Sequence, residues 1–289
     1  MKEGLIIKGY GGFYYVRSGK ETWCCRGRGR LRRKQSLLPG DHVQFTPLQK
    51  EEGVIEAIEE RKNVLRRPPV ANVDQVIHVV SLANPEPDLK LLDRSLVICE
   101  LEQLSVIICF NKIDLLNSER AEELESIYRK AGYHTICISA LFGHGMEKLC
   151  QALAGKISVL SGPSGAGKST LLNSMDPNLS LETGEISKKL KRGKHTTRHV
   201  LLIPLCDGFV ADTPGFSNLE LPPMKRVDLA CFFPEINEFA DQCRFDDCIH
   251  LDEPDCAVKN ALDKRLISST RYENYKHLLQ EIISKERIY

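Results

Sequence analysis

Short β-prone runs separated by turn residues fill the first part of the chain. The runs show no helical period, and turn residues stand between them, as in Gly11-Gly12 and Pro39-Gly40-Asp41. They occupy residues 5–7, 13–16, 22–25, 42–45 and 53–58. Short strands at this density are typical of a small closed barrel of the oligonucleotide-binding type. We therefore predict such a barrel as a domain over residues 1–67.

The pattern changes after Pro68-Pro69, where apolar runs begin to alternate with segments of helical period. Strands are predicted at 75–80, 104–110, 135–138, 157–160, 199–205 and 209–211, and helices at 89–101, 118–131 and 146–154. Alternation of this kind is typical of an α/β sheet. Because Pro222-Pro223 interrupts it, we predict an α/β domain over residues 68–222.

The remaining residues, 223–289, form a third predicted domain that is mainly helical. Large apolar side chains recur there at helical spacing, at Tyr272, Tyr275, Leu279 and Ile282. We expect this stripe to pack a helix onto its own domain, the alternative being a contact with a partner.

Composition limits the possible functions without choosing among them. The chain has 289 residues, 42% of them hydrophobic and 27% charged, and its formal net charge is +1. Such a chain has no overall field that would attract nucleic acid, so local clusters of charge must carry any binding of that kind. No apolar run has the length of a membrane span, and we expect a cytoplasmic monomer without a membrane partner.

One local cluster, at residues 26–34, contains basic residues and no acid. Its cations are Arg26, Arg28, Arg30, Arg32, Arg33 and Lys34. A loop of this charge, kept adaptable by interleaved glycines, is predicted to bind RNA phosphates in a salt-dependent way, the alternative being a solvated surface loop. Aromatic residues nearby could stack on bases, but in so small a barrel we expect most of them in the core; they are Phe13, Tyr14, Tyr15 and Trp23.

A phosphate-binding loop follows the predicted strand at 157–160. Residues 162–169 fit the pattern G-x-x-x-x-G-K-[ST], and an apolar helix start follows them. This strand–loop–helix context makes a chance match to a glycine-rich turn the weaker explanation. Loop N–H groups would face polyphosphate oxygens, Lys168 would reach the β- and γ-phosphates, and the Ser169 hydroxyl would ligate Mg²⁺. The predicted contacts are Gly162, Pro163, Ser164, Gly165, Ala166, Gly167, Lys168, Ser169 and Thr170.

The sequence Asn111-Lys112-x-Asp114, at the end of the predicted strand at 104–110, indicates that the base is guanine. Asp114 can accept hydrogen bonds from both N1–H and the exocyclic amino group of guanine, and adenine offers neither donor. Asn111 would brace the loop, and the stem of Lys112 would lie against the ring. Ser139-Ala140, one predicted strand later, fits a backbone contact to guanine O6.

Two further segments have the composition of a nucleotide switch. A basic, glycine-containing stretch leads to His195-Thr196-Thr197, and either Thr196 or Thr197 could close on Mg²⁺ when the γ-phosphate is present. Asp212-Thr213-Pro214-Gly215 follows a predicted strand. There, Asp212 would hold Mg²⁺ through water, and the Gly215 N–H would sense the γ-phosphate.

The C-terminal segment contains a cluster of soft metal ligands, Cys243-x₄-Cys248-x-His250-x₅-Cys256. Three thiolates and one imidazole suit a closed tetrahedral Zn²⁺ site with no vacant position for a water nucleophile. Such a site would stabilise a segment whose own core is small, and chance clustering in a cysteine-rich chain is the alternative. We expect the remaining cysteines to be buried or inert thiols rather than parts of a disulfide framework.

The order of these motifs carries a resemblance to a known family. The guanine reader at 111–114 and Ser139-Ala140 precede the phosphate loop, whereas ordinary small GTPases begin with that loop. This circular permutation resembles the RsgA/YjeQ family of GTPases that depend on the small ribosomal subunit. The resemblance extends along the whole chain, because it includes the barrel before the permuted domain and the spacing of the Cys/His cluster after it.

The resemblance implies a multidomain protein with an oligonucleotide-binding barrel, a circularly permuted α/β P-loop GTPase domain and a mainly helical zinc-binding domain. It implies hydrolysis of GTP to GDP and phosphate. It also implies binding to the small (30S) ribosomal subunit and its 16S rRNA late in subunit maturation, with stimulation by that subunit and other assembly factors as further partners.

One departure from ordinary GTPases concerns the attacking water. Phe216 follows Asp-Thr-Pro-Gly where many GTPases have a glutamine that orients water, and phenylalanine cannot form that hydrogen bond. The resemblance implicates the histidine beside the switch threonines, so His195 is the candidate catalytic residue. The alternative is a histidine that contacts rRNA phosphate or solvent within a basic loop.

Two other classes of function stay open on the sequence. One is an rRNA-binding scaffold that uses GTP only as a ligand. The other is an ATP-using P-loop enzyme, because similar loops occur in transporter ATPases and nucleotide kinases. Asn111-Lys112-x-Asp114 and the absence of a Leu-Ser-Gly-Gly signature argue against ATP.

Overall fold

The computed structural model describes residues 1–29, 36–66, 68–179, 200–212 and 220–286 of the chain. The chain divides into two compact units. The first is drawn from Met1–Ile77, Met146–Ser161 and Lys168–Ser217, and the second from His78–Gly145, Gly162–Gly167 and Asn218–Tyr289. The division into domains at 1–67, 68–222 and 223–289 stays a prediction.

A closed five-stranded barrel begins the first unit. Its strands are β1 (Lys2–Tyr10), β2 (Phe13–Ser18), β3 (Glu21–Gly27), β4 (His42–Pro47) and β5 (Glu52–Ile58), in the order β1-β2-β3-β5-β4. β3 and β5 run parallel, and the other neighbours are antiparallel. Inward-facing apolar residues fill the interior, among them Ile6, Val16, Val43, Phe45 and Ile55. The predicted barrel is confirmed.

A buried ion pair fixes the turn that precedes β4. The barrel is followed by a short hairpin of β6 (Val64–Arg66) and β7 (Pro69–Ala71). Arg61, just before this hairpin, donates to the two carboxylate oxygens of Asp41 at 2.6 and 2.8 Å.

Gly40 has φ +92°, and a Cβ there would stand 2.0 Å from the carbonyl oxygen of Ala71. The turn therefore attaches the barrel to the hairpin only because residue 40 is glycine.

Six strands form the sheet that follows the barrel. They are β8 (Gln75–Ser81), β9 (Ser105–Asn111), β10 (His134–Ile138), β11 (Ile157–Ser161), β12 (Leu202–Leu205) and β13 (Gly208–Asp212), in the order β10-β9-β8-β11-β13-β12. β10 pairs with β9 and β13 with β11 in parallel, whereas β12 is antiparallel to β13. β8 and β11 are buried along their whole length, as parallel strands covered on both faces are. The predicted α/β sheet is confirmed.

Four helices are described in this α/β part of the chain. They are α1 (Leu89–Leu101), α2 (Ser118–Lys130), α3 (Met146–Leu153) and α4 (Lys168–Met175). Side-chain caps start the first two, since Asp88 accepts from the N–H of Leu91 at 2.9 Å and Asn117 from that of Arg120 at 3.2 Å. The three helices predicted before the phosphate loop agree with the observed ones to within one residue.

A disulfide joins α3 to the turn between β12 and β13. Cys150 and Cys206 are bonded, with their Cα atoms 5.1 Å apart. The same turn contacts the end of α3, where the Gly155 N–H donates to the carbonyl oxygen of Asp207 at 3.0 Å. The expectation of free thiols is therefore wrong for this pair. Parallel pairing of β11 with β13 brings the two cysteines together across a separation of 56 residues. Of the other cysteines outside the metal cluster, Cys25, Cys99 and Cys109 are buried, Cys24 and Cys137 are partly buried, and Cys231 is exposed.

The C-terminal segment is mainly helical, as predicted. A 3₁₀ segment (Arg226–Phe232) precedes α5 (Pro234–Ala240), α6 (Ala257–Asp263) and α7 (Ser269–Glu286). The stripe of Tyr272, Tyr275, Leu279 and Ile282 on α7 is buried in the core of this segment, which favours packing over a contact with a partner. No helix among the described residues is long and apolar enough to cross a membrane.

A buried arginine holds α7 against α1. Arg271 is 1% exposed and donates to Asp93 on α1 at 2.6 Å and to both carboxylate oxygens of Glu235 on α5 at 2.7 and 3.1 Å. Asn274 donates to the other oxygen of Asp93 at 2.6 Å. Aromatic rings also face the guanidinium, those of Phe233, Tyr128 and Tyr133. Losing one partner of such a buried pair costs about 3–5 kcal/mol, so this network fixes α7 firmly against α1.

Candidate functional site

The buried side-chain amide of Asn111 joins three loops at the end of β9. Its Nδ2 donates to the carbonyl oxygen of Ala166 at 2.9 Å. Its Oδ1 accepts from the N–H groups of Lys112 at 2.8 Å and Ala140 at 3.1 Å. One side chain thus connects the loop predicted to read guanine, the Ser139-Ala140 loop and the phosphate loop. The structure brings these three predicted segments together.

Lys112 makes a second connection to the phosphate loop. Its φ of +68° turns the chain out of β9, and its Nζ donates to the carbonyl oxygens of Gly165, at 2.8 Å, and Asn84. Partial burial lowers the pKa of Lys112, while the Asp114 carboxylate acts in the opposite direction. Asn84 was not a predicted site residue. It contributes a backbone carbonyl, which every residue type has, so the only sequence signal was its place just beyond a buried strand.

Asp114 offers its carboxylate to solvent while Ser139 orients it. Ser139 Oγ donates to Asp114 Oδ1 at 2.5 Å and accepts from the Phe142 N–H at 3.3 Å. Asp114 itself is exposed, and a carboxylate has roughly four lone-pair positions on its two oxygens. The carboxylate can therefore accept hydrogen bonds from a ligand while Ser139 holds it. This arrangement suits a base edge with two adjacent N–H donors.

Glycines make the close approach of the phosphate loop possible. Gly162 has φ +129°, and a Cβ there would stand 2.2 Å from the carbonyl oxygen of Val79. Gly167 has φ +95°, and its Cβ would stand 2.3 Å from Asn111 Nδ2. Both the backbone conformation and the available space therefore exclude a side chain. The loop continues directly into α4 at Lys168, so backbone N–H groups are concentrated where phosphate oxygens would bind.

Two of the residues predicted to hold Mg²⁺ lie at or after strand ends. Ser169 is buried in the first turn of α4. Asp212 is the last residue of β13, and the parallel register sets it beside Leu160 in β11. Because the carboxyl ends of parallel strands meet at one edge of a sheet, the backbone of Asp212 lies where the loop after β11 begins. The Asp212 side chain lies outside the described part of the chain.

Other predicted site residues also lie outside the described part of the chain. They are His195, Thr196, Thr197 and Gly215 in the switch segments, and Arg30, Arg32, Arg33 and Lys34 in the basic loop. Their roles stay predictions.

The four predicted metal ligands converge on one point. The ligand atoms of Cys243, Cys248, His250 and Cys256 all lie within 4.8 Å of one another. The Sγ atoms of Cys243 and Cys256 are 3.9 Å apart, and thiolates bound at ~2.3 Å to a tetrahedral Zn²⁺ stand roughly 3.8 Å apart. Three of the four residues are buried, which closes the cluster to solvent. The residues present therefore fit a structural zinc ion.

Groups outside the metal cluster hold its loop in place. The hydroxyl of Tyr272 donates to the carbonyl oxygen of His250 at 2.6 Å, and that of Tyr275 to the carbonyl oxygen of Ile249 at 3.0 Å. The Glu253 carboxylate accepts from two backbone N–H groups of this loop at 2.9 and 2.8 Å. Sequence reasoning missed these three supports, because ligand spacing gives no information about what holds the backbone.

The described part of the basic cluster lies on the outer surface of the barrel. Arg26 is exposed on β3, with its guanidinium 4.5 Å from the centroid of the Phe13 ring. Arg28 forms an ion pair with Glu56 at 2.7 Å. The Arg28 side chain is half exposed, whereas that of Glu56 is only 16% exposed, so Arg28 would have to leave a partly buried carboxylate to bind a phosphate.

The aromatic residues of the barrel divide between its two faces. Tyr14 and Trp23 pack against the core, as expected. Phe13 and Tyr15 are exposed, so the expectation of a core position is wrong for these two. The physical reason is the period of two along β2, which turns alternate residues outward whatever their hydrophobicity.

The chain is similar to proteins of one family along its whole length. A family profile described as "RsgA GTPase" matches residues 58–222, and one described as "RsgA N-terminal domain" matches residues 3–55. A curated protein from Moorella thermoacetica, named "Small ribosomal subunit biogenesis GTPase RsgA", is 48% identical over 287 residues. The match covers 99% of this chain and 99% of that protein.

Solved structures agree with this similarity. The crystal structure of YloQ, described as a circularly permuted GTPase, is 37% identical and has a TM-score of 0.81, covering 99% of this chain and 96% of that one. The crystal structure of YjeQ from Thermotoga maritima is 38% identical with a TM-score of 0.82, covering 98% of each chain. The fold and the permuted order of the motifs are therefore shared with proteins of known structure.

Substitution of Gly167 tests the contact between the phosphate loop and Asn111. In Gly167→Ala the new Cβ would displace the Asn111 amide, so we expect the affinity for GDP to fall by about tenfold or more, the equivalent of one lost buried hydrogen bond. Fluorescent-nucleotide titration measures this affinity.

Gly132→Ala is the matched control. Gly132 has nearly the same φ, +93°, but, apart from its chain neighbours, no atom of the described residues lies within 4 Å of its would-be Cβ. The Gly132→Ala substitution imposes the same backbone strain but displaces no hydrogen-bonded group, so the GDP affinity of this variant should equal that of the unsubstituted chain. Equal losses in the two variants would contradict the assigned role of the contact.

Proposed function

Since this chain belongs to the RsgA family of circularly permuted GTPases, we propose that it hydrolyses GTP while bound to the small (30S) ribosomal subunit and assists late maturation of that subunit. The observation that carries the proposal is the Asn111 amide. It bonds to the phosphate loop through Ala166 and to the guanine-reading loops through Lys112 and Ala140. A guanine base and its phosphates would thus be bound by loops that one buried group aligns.

Selection of guanine over adenine follows from the hydrogen-bond donors of the base. Asp114, oriented by Ser139, would accept from N1–H and the exocyclic amino group, while a loop N–H beside Ala140 would donate to O6. Adenine presents neither of these donors, so its binding would desolvate a carboxylate without pairing it. Leaving a charged group unpaired costs roughly 1–3 kcal/mol or more, which makes ATP the poorer ligand.

The phosphates and their Mg²⁺ would be held by the loop at 162–170 and the switch segments. Mg²⁺ supplies Lewis-acid stabilisation of charge on the transferring phosphoryl group when it is bound. Ser169 would contribute its hydroxyl and Asp212 its carboxylate through water, with Thr196 or Thr197 completing the set. Lys168 would contact the β- and γ-phosphate oxygens, and the Gly215 N–H would contact the γ-phosphate.

Hydrolysis requires that a water be oriented toward the γ-phosphorus. In the reaction the water oxygen bonds to phosphorus, the bond to the β–γ bridging oxygen breaks, and GDP and phosphate leave. Phe216 offers no hydrogen bond for that water, so we assign its orientation to His195. The dependence on the ribosomal subunit then has a simple basis, since a basic segment on rRNA can hold His195 in one position.

The Cys/His cluster would bind one structural Zn²⁺. A site with four protein ligands leaves no open position for substrate or water, so its contribution is to stability. Tyr272 and Tyr275, whose hydroxyls bond to the loop carbonyls, would transmit that stability to α7.

The barrel would bind 16S rRNA through the basic cluster at 26–34. A protein with this partner acts in the cytoplasm, where ribosomal subunits are assembled.

Single-turnover hydrolysis with and without purified 30S subunits tests the proposed function. We expect the subunit to increase the rate of GTP hydrolysis strongly. His195→Ala should lose most of that increase, about a hundredfold or more if the histidine acts on the water, and should keep its GDP affinity. His134→Ala is the control, because His134 is an exposed histidine at the start of β10.

Three outcomes would contradict the proposal or its parts. Absence of any stimulation would favour the scaffold that uses GTP only as a ligand. Efficient displacement of labelled GTP by ATP would overturn the guanine assignment. Full stimulated turnover in His195→Ala would remove that residue from hydrolysis.

Zinc content tests the metal assignment separately. The chain purified from zinc-containing medium should bind one Zn²⁺, and Cys248→Ala should lose at least about tenfold in zinc affinity and melt at a lower temperature. Cys231 is exposed and lies outside the cluster, so Cys231→Ala should bind zinc and melt as the unsubstituted chain does. Metal analysis with a competing chelator gives the affinity, and unchanged zinc binding by Cys248→Ala would contradict the assignment.

A further inference from the structure

The hairpin of β12 and β13 links the two segments predicted to act as the nucleotide switch. β12 follows the stretch that contains Thr196 and Thr197, and β13 ends at Asp212. A two-residue turn, Cys206-Asp207, joins the two strands. Because β13 has five residues, the turn lies roughly 13 Å from Asp212 at the rise of a β-strand. It is therefore at the end of the hairpin that faces away from the predicted Mg²⁺ ligands.

A covalent bond and a hydrogen bond hold this turn against the end of α3. Cys206 is disulfide-bonded to Cys150 on α3. The Gly155 N–H, just after α3, donates to the carbonyl oxygen of Asp207 at 3.0 Å. Of these two connections, the disulfide is the one that a redox reaction can open and close.

The fit between the turn and α3 brings the two cysteines together. A Cβ at Gly208 would stand 2.1 Å from the carbonyl oxygen of Leu153, so the backbones are in close contact there. The Phe209 N–H donates to the carbonyl oxygen of Lys156 at 2.9 Å. These contacts do not depend on the disulfide, and they set the Cα atoms of the two cysteines 5.1 Å apart, within the usual range for a disulfide. Two reduced thiols at these positions are therefore placed to close again.

The conformation of the turn does not explain a cysteine at its first position. The φ angles are +49° at Cys206 and +55° at Asp207, as in a type I′ turn. Asparagine and glycine are the residues that favour the first position of such a turn. The bond to Cys150 gives this cysteine a role that the backbone conformation does not.

Small thiols and disulfides can reach the pair, because both cysteines are only half-buried. The compartment proposed for this chain, the cytoplasm, keeps thiols reduced, and disulfides there are usually transient or redox-sensing. An accessible disulfide in that compartment forms when a small oxidised disulfide accumulates, and it opens again when the small thiol is in excess.

We propose that Cys150 and Cys206 form a reversible dithiol–disulfide switch that clamps the hairpin between the two switch segments. The oxidant is a small disulfide of the glutathione type. The thiolate of one cysteine attacks a sulfur of this disulfide, so that a mixed disulfide forms and one small thiolate leaves. The second cysteine thiolate attacks the protein sulfur of the mixed disulfide, and the second small thiolate leaves. Two electrons pass from the protein to the small disulfide, and the two thiol protons end on the released thiols.

Closing the bond restricts how far the hairpin can separate from α3. The two cysteines are 56 residues apart in sequence, and a cross-link over such a loop removes many open conformations. In the dithiol form, hydrogen bonds and packing hold the turn. Because the nucleotide contacts lie at the other end of the strands, the redox state controls the opening of the hairpin and leaves the affinity for GDP unchanged.

The redox state of the full, zinc-loaded chain tests the first part of the proposal. The chain is equilibrated with mixtures of glutathione and glutathione disulfide, and its cysteines are mapped by alkylation and mass spectrometry. We expect Cys150 and Cys206 to be free thiols in excess glutathione and bonded to each other in excess glutathione disulfide. Cys150→Ser should instead accumulate one glutathione on Cys206. Zinc content is measured in the same samples, so that oxidation of the Cys/His cluster is recognised.

Two results of this mapping would overturn the proposal. A bond that persists in excess glutathione would be a permanent structural disulfide. Absence of the bond in excess glutathione disulfide would show that the pair does not close.

Hydrogen exchange tests the clamp itself. The backbone amides of residues 202–212 should exchange at least about tenfold more slowly in the oxidised chain than in the reduced chain. The double variant Cys150→Ser/Cys206→Ser should exchange as the reduced chain does under both conditions. Cys231→Ser, which removes an exposed cysteine outside the pair, should keep the full difference.

Equal exchange in the oxidised and reduced chains would overturn the clamp, and a fall in GDP affinity on oxidation would place the effect at the nucleotide site instead. Neither cysteine is assigned to nucleotide binding or hydrolysis. If the clamp fails while 30S subunits still stimulate GTP hydrolysis, this inference is lost and the proposed function is kept.

Discussion

The hydrogen bonds of one buried amide, that of Asn111, determine how the nucleotide site is assembled. The Nδ2 group of Asn111 donates to the carbonyl oxygen of Ala166 in the phosphate loop, and its Oδ1 accepts from the backbone N–H groups of Lys112 and Ala140. Gly167 is part of the same constraint, because the amide occupies the position that a Cβ would take. These loops come from strand ends at one edge of a sheet, so their meeting depends on strand order rather than on the order in which the chain visits them. Circular permutation therefore leaves the chemistry intact.

The metal-binding loop is connected to the guanine-reading loops through α7 and α1. Tyr272 and Tyr275 on α7 bond to carbonyl oxygens of the metal loop. One residue earlier, Arg271 bonds to Asp93 on α1, and α1 packs in the same core as β9, the strand that ends at Asn111. Farther along α7, Arg94 of α1 holds the pKa of Glu281 at about 2. None of these groups is a predicted ligand of the nucleotide or of a metal ion, yet together they fix the metal loop and the guanine-reading strand in one compact unit.

Sequence reasoning found the parts of this molecule that depend on backbone geometry and local pattern. Gly162 and Gly167 were identified from the glycine pattern of the phosphate loop, and α1 from its helical period. It missed what depends on contacts distant in sequence. Cys150 and Cys206 meet only after the strands pair, and Asn84 acts through a carbonyl that no pattern marks. For β2, most of the aromatic residues were expected in the core, but the period of two turns Phe13 and Tyr15 outward.

The central claim is that Asp114, held by Ser139 and positioned beside Asn111, reads the N–H donors of guanine. The affinities of Asp114→Asn for GDP and for xanthosine diphosphate test it most directly. Xanthine has a carbonyl where guanine has its amino group, and asparagine can donate to that oxygen. We predict that GDP affinity falls about hundredfold or more and that xanthosine diphosphate becomes the preferred ligand, because a charged hydrogen-bond pair is exchanged for a matched neutral one. Retention of GDP binding, without a gain for xanthosine diphosphate, would contradict the account.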